Sequence, residues 1–226
     1  MSNELDVANK YGLFWGGAYV EGKDGQTLAD GLYIYQPERF SEGFFHLFDK
    51  LRQLNDHCFH QLLSAESRLQ GLETGRDAAL RQKFGDAAEI DYYDDQVGMW
   101  EDNVEVIAKA TSVVLLCSFV EWGLKLVAKE LQTTISFKPD RKLSDIEFML
   151  QHIERECNLH LRLHDEIMPI VGSFRIIRNA FAHGHWATLN EQLGTLSLRT
   201  CFRAVSRLFQ SIEEAAWESP WGAVSP

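Results

Sequence analysis

The sequence has few cysteines, and their spacing excludes the usual roles of paired cysteine. Its four cysteines, Cys58, Cys117, Cys157 and Cys201, are far apart, and no two form a CxxC pair. Each lies in an apolar, helix-patterned setting, where free cysteine behaves as a small hydrophobic residue. This pattern disfavours a disulfide framework and predicts a cytoplasmic protein.

Long hydrophobic runs are also missing. The most apolar stretch, residues 112–120, lies between Lys109 and Glu121 and is too short to span a bilayer. The N-terminal residues show no basic start followed by an apolar run, so we expect no secretory signal. With 45% apolar and 24% charged residues, the composition is that of an ordinary globular domain without a membrane segment.

Positive charge is outnumbered: 22 Lys and Arg face 33 Asp and Glu, which gives a net charge of −11. This balance disfavours a protein that coats nucleic acid through bulk attraction. It still permits one local basic cleft, and basic residues recur in the last third of the chain. They are Arg162, Arg175, Arg178, Arg199 and Arg203.

The hydrophobic periodicity predicts an all-α fold, an up-and-down bundle of four to five helices. Apolar residues recur every three or four positions from Phe40 to Leu69, which predicts a long helix ending near Gly71. Further helices are predicted for residues 99–131, from Ser144 or Asp145 through Ile153, and for residues 165–183 and 198–212.

Three segments lack this helical pattern. Residues 1–36 contain aromatic and glycine-rich stretches separated by turn signals, and they predict a small N-terminal β hairpin or arm. Residues 73–98 are polar and acidic and predict a connecting loop, which could contain a short helix around residues 77–83, within a bundle that spans residues 37–216. Residues 217–226 predict a short mobile tail.

The segment with the most candidate catalytic side chains is RNAFAH, residues 178–183. It lies at the end of the predicted fourth helix, which Gly184 should terminate. On a helical wheel Arg178 falls on the apolar stripe, while Asn179 and His183 share an adjoining face. An arginine cannot be neutralised, so a buried one needs an acidic partner, a wet cleft or a subunit interface.

These side chains suit the cleavage of RNA without a metal. A histidine can take the proton of a 2′-hydroxyl or give one to the leaving 5′-oxygen. A guanidinium can hold two phosphate oxygens and offset the charge of the transition state, and Asn179 can orient the imidazole or the phosphate. We therefore predict Arg178, Asn179 and His183 as catalytic residues, supported by Arg175 and His185, with a 2′,3′-cyclic phosphate as product.

Each candidate also has a structural interpretation. Glu121, a lone acid in the apolar run of the second long helix, could pair with Arg178 in a supporting role, although Lys125 could claim it instead. His183 could be an ordinary histidine at a helix end. The pairs at 183/185 and 57/60 lack the spacing of a closed zinc site, so neither a metal nor a cofactor is expected.

Arg178-Asn179-x-x-x-His183 resembles the signature of the HEPN superfamily, an arginine followed after four to six residues by histidine, usually with Asn, Asp or His beside the arginine. The apolar run before it, at residues 174–177, is similar too. The resemblance covers residues 98–216. It implies a helical bundle that forms a homodimer with one composite cleft, and a metal-independent endoribonuclease that serves as a toxin with a neutralising antitoxin or as an anti-phage defence effector.

One position departs from the family pattern. Toxins of this family that a nucleotidyltransferase controls carry a modified tyrosine two residues beyond the histidine, and here His185 stands there. Control by that modification is therefore not expected. The alternative function is a non-catalytic HEPN-like module that binds a nucleotide or a protein: the intact Arg-Asn-His set favours the enzyme, and the charge of −11 favours the module.

Overall fold

A computed structural model describes residues 2–13, 34–39, 41–82, 86–133, 144–161 and 167–224. These residues contain helices and connecting turns but no strand, so the predicted all-α class is confirmed. The helices are α1 (Ser2–Tyr11), α2 (Glu42–Arg81), α3 (Ala87–Asp102), α4 (Lys109–Glu130), α5 (Asp145–Glu156), α6 (Ile167–Ala182), α7 (Trp186–Gly194), α8 (Leu198–Glu218) and α9 (Pro220–Val224), and a π-helical segment (Asn103–Ala108) joins α3 to α4.

Helix α4 lies at the centre of the bundle and packs against α2, α5, α6 and α8. Its apolar run is deeply buried, and Val113, Leu116, Val120 and Leu124 are each at most 1% exposed. Burial of so many aliphatic and aromatic side chains is the main source of the fold's stability. Its largest fully buried partners from neighbouring helices include Phe44, Leu47, Leu51, Phe174, Phe202 and Phe209.

The helical run Ala87–Glu130 is long and apolar enough, by length and composition, to cross a membrane. Half of its most apolar window, 50%, is buried inside the protein. The core helix of a soluble protein meets the same criteria, and the central place of α4 is that of a core helix.

The predicted acidic loop at residues 73–98 is mostly helical instead. Helix α2 continues through Gly71 to Arg81, and α3 begins at Ala87, where the Asp86 side chain accepts a hydrogen bond from the Ala88 amide at 3.0 Å. The two helices pack against each other, and only a few of their residues in this region are buried: Leu72, Ala79 and Val97. So narrow an apolar contact leaves both helices polar on most sides, which is why the apolar rhythm disappears from the sequence.

Gly71 offers a test of this continuous helix. A Cβ at position 71 would meet no atom within 4 Å, so Gly71→Ala should raise the free energy of unfolding by about 0.5–1 kcal/mol through helix propensity. At Gly123 a Cβ would lie 2.6 Å from Phe209 Cζ and 2.7 Å from Leu47 Cδ2, both in buried side chains. Gly123→Ala should therefore be destabilising in the same urea unfolding series. A loss of stability in Gly71→Ala would instead indicate a glycine that ends the helix.

The predicted N-terminal β arm is not seen in the residues that the structure describes. Ser2–Tyr11 form α1, which buries Val7, Ala8 and Tyr11 against the core, and the side chains of Lys10 and Tyr11 both contact Glu66 on α2. This segment forms a helix rather than a strand because its three buried apolar residues fall on one helical face. Residues 14–33, the larger part of the predicted arm, lie outside the described residues.

Residues 217–224, the described part of the predicted mobile tail, are mostly helical. Helix α9 folds back so that Trp221 packs against Phe44 and Trp217, at ring-centroid distances of 6.2 and 4.8 Å. The Trp221 indole nitrogen donates to the carbonyl oxygen of Glu130 at 3.1 Å. Aromatic burial and this hydrogen bond hold the segment through Val224 against the bundle.

Glu213 is a buried acid, only 2% exposed, that joins α8 to the segment before α2. It accepts hydrogen bonds from the Tyr35 hydroxyl at 2.6 Å and from the Trp217 indole at 3.2 Å. Burial raises the pKa of this carboxyl above its usual value of 4.5, and the hydrogen bonds offset only part of the rise. The folded protein therefore holds this proton more tightly than the unfolded chain does.

This raised pKa fixes the sign of a pH effect. The stabilising contribution of protonated Glu213 is complete below about pH 4.5 and is lost as the pH rises through the folded-state pKa. Glu213→Gln keeps hydrogen-bonding capacity without the charge, so its stability relative to the natural protein should increase between about pH 4.5 and neutral pH. Urea unfolding across this pH range tests the expected increase, and Glu214→Gln, at the exposed neighbouring residue, is the control. An equal pH dependence in both variants would contradict it.

Candidate functional site at the junction of helices α6 and α7

Helix α6 ends as its sequence predicted. Gly184 adopts a left-handed conformation with φ +68°, which glycine accepts without strain. The Gly184 amide donates to the Phe181 carbonyl at 3.3 Å, and the His185 amide donates to the Ala180 carbonyl at 2.8 Å. This pair of bonds is a Schellman motif, and it fixes the chain direction directly after His183.

Helix α7 begins two residues later and was not predicted from the sequence. No side chain caps its first turn, because His185 at the N-cap position makes no capping hydrogen bond, and the first turn contains no acidic residue. The first amides of a helix have no partner within it and carry the positive end of its dipole. The apolar pattern that could have predicted α7 is short, because the buried residues of this nine-residue helix are Leu189 and Leu193, four residues apart.

The side chains around this junction are mostly exposed. Asn179 and His183 lie four residues apart, so they share one side of α6, and both are exposed. The rings of His183 and His185 lie 5.9 Å apart. Trp186, which is 50% exposed, stands edge-on to Phe181 at 6.2 Å. The structure thus places an amide, two imidazoles and an indole beside uncapped helix amides.

Arg178 is held by Glu121, as one interpretation of the sequence expected. Its Nη1 donates to Glu121 Oε1 at 2.5 Å, and the two side chains are 31% and 23% exposed. A pair that is partly exposed is worth less than a fully buried one, but it still fixes the direction of the guanidinium. Arg178 is therefore both a link between α4 and α6 and a cation that remains partly exposed.

The space beside the Arg178–Glu121 ion pair is too small for a ligand. A small cleft between α4, α6 and the start of α5 is lined by Glu121, Asp145, Arg175 and Arg178, and its free volume is about 10 Å³. That is the space of one water molecule at most. The cleft in this structure therefore has no room for a phosphate.

Arg175 belongs to this cleft and not to the α6–α7 junction. It lies close enough to Glu147 to help lower the pKa of that carboxyl, after the larger effects of the hydrogen bonds from the Ser144 backbone and side chain. The Ser144 amide donates to the Glu147 carboxylate and the Glu147 amide donates to the Ser144 hydroxyl, which is a capping box at the start of α5; of the two predicted caps, Ser144 and Asp145, the cap is Ser144. The six predicted site residues therefore separate into Arg175, Arg178 and Glu121 around the cleft and Asn179, His183 and His185 at the junction.

Cys117 lies beside the ion pair, with its sulfur 3.9 Å from Glu121 Oε1. Burial raises the pKa of this thiol to about 11, although the nearby Arg178 charge works in the opposite direction. A protonated thiol is a weak nucleophile at neutral pH. Cys117 is therefore a packing residue of the core rather than a reactive group.

Comparison with protein-family models, curated proteins and solved structures finds no match for this chain. Among the residues that the structure describes, no three His, Cys, Asp or Glu side chains are grouped so that they could hold a metal ion. The chemistry of the candidate site is accordingly argued from its own side chains.

Proposed function

We propose that this protein is a metal-independent endoribonuclease of the HEPN type, acting in the cytoplasm as a toxin or anti-phage defence effector. The observation that supports it best is the exposed grouping of Asn179, His183 and His185 at the α6–α7 junction, at the end of the helix that carries the partly exposed Arg178. An imidazole, an amide and a guanidinium are groups that can carry out phosphodiester cleavage without a metal.

The reaction uses the 2′-hydroxyl of RNA as the nucleophile. His183 accepts the hydroxyl proton as the 2′-oxygen attacks phosphorus, and the bond from phosphorus to the 5′-oxygen breaks. The leaving oxygen takes a proton from a second imidazole, the His183 of a second copy. Arg178 offsets the charge on the phosphoryl oxygens, and the uncapped amides of α7 favour an anion at the same end. The products are a 2′,3′-cyclic phosphate and a 5′-hydroxyl.

A homodimer with a composite cleft fits this arrangement. In one chain Arg178 is turned toward Glu121, whereas Asn179 and His183 occupy an adjoining side of α6. Two α6 ends that face each other would bring one copy's Arg178 and the other copy's His183 to one phosphate. Ile176 and Trp186, which are 45% and 50% exposed, supply apolar surface next to the motif for such a contact.

The test is incubation of the purified protein with total cellular RNA and a tRNA pool in the presence of EDTA. We expect discrete fragments that end in cyclic phosphates, together with a dimer in sedimentation at micromolar concentration. Intact RNA after incubation with a folded, dimeric protein would overturn the proposed activity. In cells, expression of the protein should arrest growth, and a neutralising antitoxin partner should relieve that arrest.

One observation favours the second candidate, a non-catalytic HEPN-like module that binds a nucleotide or a protein. The Arg178–Glu121 contact of 2.5 Å offsets much of the positive charge that the transition state of cleavage would need, and this affects catalysis more than binding. Such a module would bind its ligand through Arg178 without cutting RNA, and its binding would survive the loss of His183.

A further inference from the structure

The π-helical segment Asn103–Ala108 interrupts a helical run that is otherwise continuous over 44 residues. π-Helical turns are rare, because their hydrogen bonds are less favourable than those of an α-helix, and they occur frequently at functional sites. No residue of this segment belongs to the α6–α7 junction. The segment is therefore an irregular part of the fold that is separate from the α6–α7 junction.

An open groove of about 470 Å³ lies beside this segment. Helix α2 forms one wall with His57, His60, Gln61 and Ser64, and the end of α3 and the π-helical segment form the other wall, with Trp100 and Asn103 among its residues. This volume is within the range of small-molecule sites, which are usually concave and contain a few placed polar groups.

The lining of the groove carries no permanent charge. None of its ten residues is Asp, Glu, Lys or Arg, in a chain of which 24% of residues are charged. In the part of the chain that the structure describes, the side chains of Gln61, Ser64 and Asn103 form no hydrogen bond with other protein groups. Donors and acceptors without partners, together with the absence of fixed charge, suit a ligand that is polar but neutral.

The side chains also indicate the ligand's shape. Trp100 offers a flat aromatic surface, and a carboxamide such as Gln61 or Asn103 presents one donor group and one acceptor, the pattern found on the edge of a base. We propose that this groove binds a nucleobase, with the ring stacked on Trp100 and its polar edge hydrogen-bonded to Gln61 and Asn103. The bound molecule is a free nucleoside or a base of single-stranded RNA, and this site is independent of the proposed cleavage at His183.

Calorimetric titration of the full chain with adenosine, guanosine, cytidine and uridine tests the proposal. At least one nucleoside should bind with a stoichiometry of one per chain. Each variant removes one kind of contact. Trp100→Ala removes the stacking on the base and should weaken binding roughly 5- to 100-fold, whereas Gln61→Ala removes a hydrogen bond to the base and should weaken binding several-fold. Tyr92→Ala, which removes an exposed aromatic ring of α3 outside the groove, should leave binding unchanged.

Trp100 is partly buried against the core, so its replacement can also affect folding, whereas Gln61 is exposed and its variant should remain folded. The proposal is overturned if no nucleoside binds at millimolar concentration, or if folded Gln61→Ala binds as tightly as the natural protein. A 2′-O-methyl oligonucleotide, which cannot be cleaved, separates the two sources of the base. If the oligonucleotide binds, and if Gln61→Ala weakens its binding as much as it weakens nucleoside binding, the ligand is a base of RNA. If only the nucleoside binds, the ligand is a free nucleoside. His183→Ala should bind nucleosides normally whether or not the protein proves to be a ribonuclease.

Discussion

Replacement of His183 by alanine should lower the rate of RNA cleavage by about 10²- to 10⁴-fold, the usual contribution of a positioned general acid or base. The imidazole is exposed and follows the last residue of α6, so its removal should leave the core and the melting temperature unchanged. Cleavage of a labelled RNA in EDTA, followed by gel analysis of fragment ends, gives the rate directly.

Two other histidines provide the controls for this variant. His46→Ala removes an exposed imidazole of α2 and should cleave at the natural rate. His185→Ala removes the ring 5.9 Å from His183 and should have a smaller effect than His183→Ala, since it acts as a neighbour of the site. Cleavage by His183→Ala at the natural rate would remove the basis for the proposed mechanism, and any activity seen would have to come from other residues.

The end of α6 could be predicted from the sequence because several local signals agree there. An apolar stripe leads to the motif, and Gly184 stands where a left-handed residue is required. The same agreement holds at α5, where Ser144 and Glu147 form the capping box. The Arg178–Glu121 pair could also be predicted, because a lone acid and a lone arginine on apolar stripes need each other.

The end of α2, the polar part of α3 and helix α7 could not be predicted, because their apolar signal is too small. Between Gly71 and Val97, helices α2 and α3 bury a few small or isolated residues, and a polar sequence with two glycines resembles a loop. Helix α7 starts at Trp186 without a Ser, Thr, Asp or Asn cap, so the usual signal of a helix start is missing. In each case the tertiary contact, rather than local preference, decides the structure.

Replacement of Arg178 should affect both cleavage and stability, and different variants separate the two effects. Arg178→Ala removes the cation that offsets transition-state charge, so the cleavage rate should fall by about 10²- to 10³-fold. It also leaves Glu121 half-buried without its partner, which should cost about 1–2 kcal/mol of unfolding free energy, between the values for exposed and fully buried pairs.

Arg178→Lys and Glu121→Gln then divide the two roles of the guanidinium. Lysine keeps the charge opposite Glu121 but cannot hold two phosphate oxygens in one plane, so stability should be largely restored while cleavage stays impaired. Glu121→Gln should weaken the link between α4 and α6 but free the charge of Arg178 for a phosphate, so stability should fall while cleavage is kept or increased. If Arg178→Ala loses stability without loss of cleavage rate per folded molecule, Arg178 is a structural residue; if lysine restores both properties fully, the positive charge alone serves the cleavage. Because urea unfolding and cleavage per folded molecule are measured on the same samples, the structural role of the ion pair and the catalytic role of the arginine are tested separately.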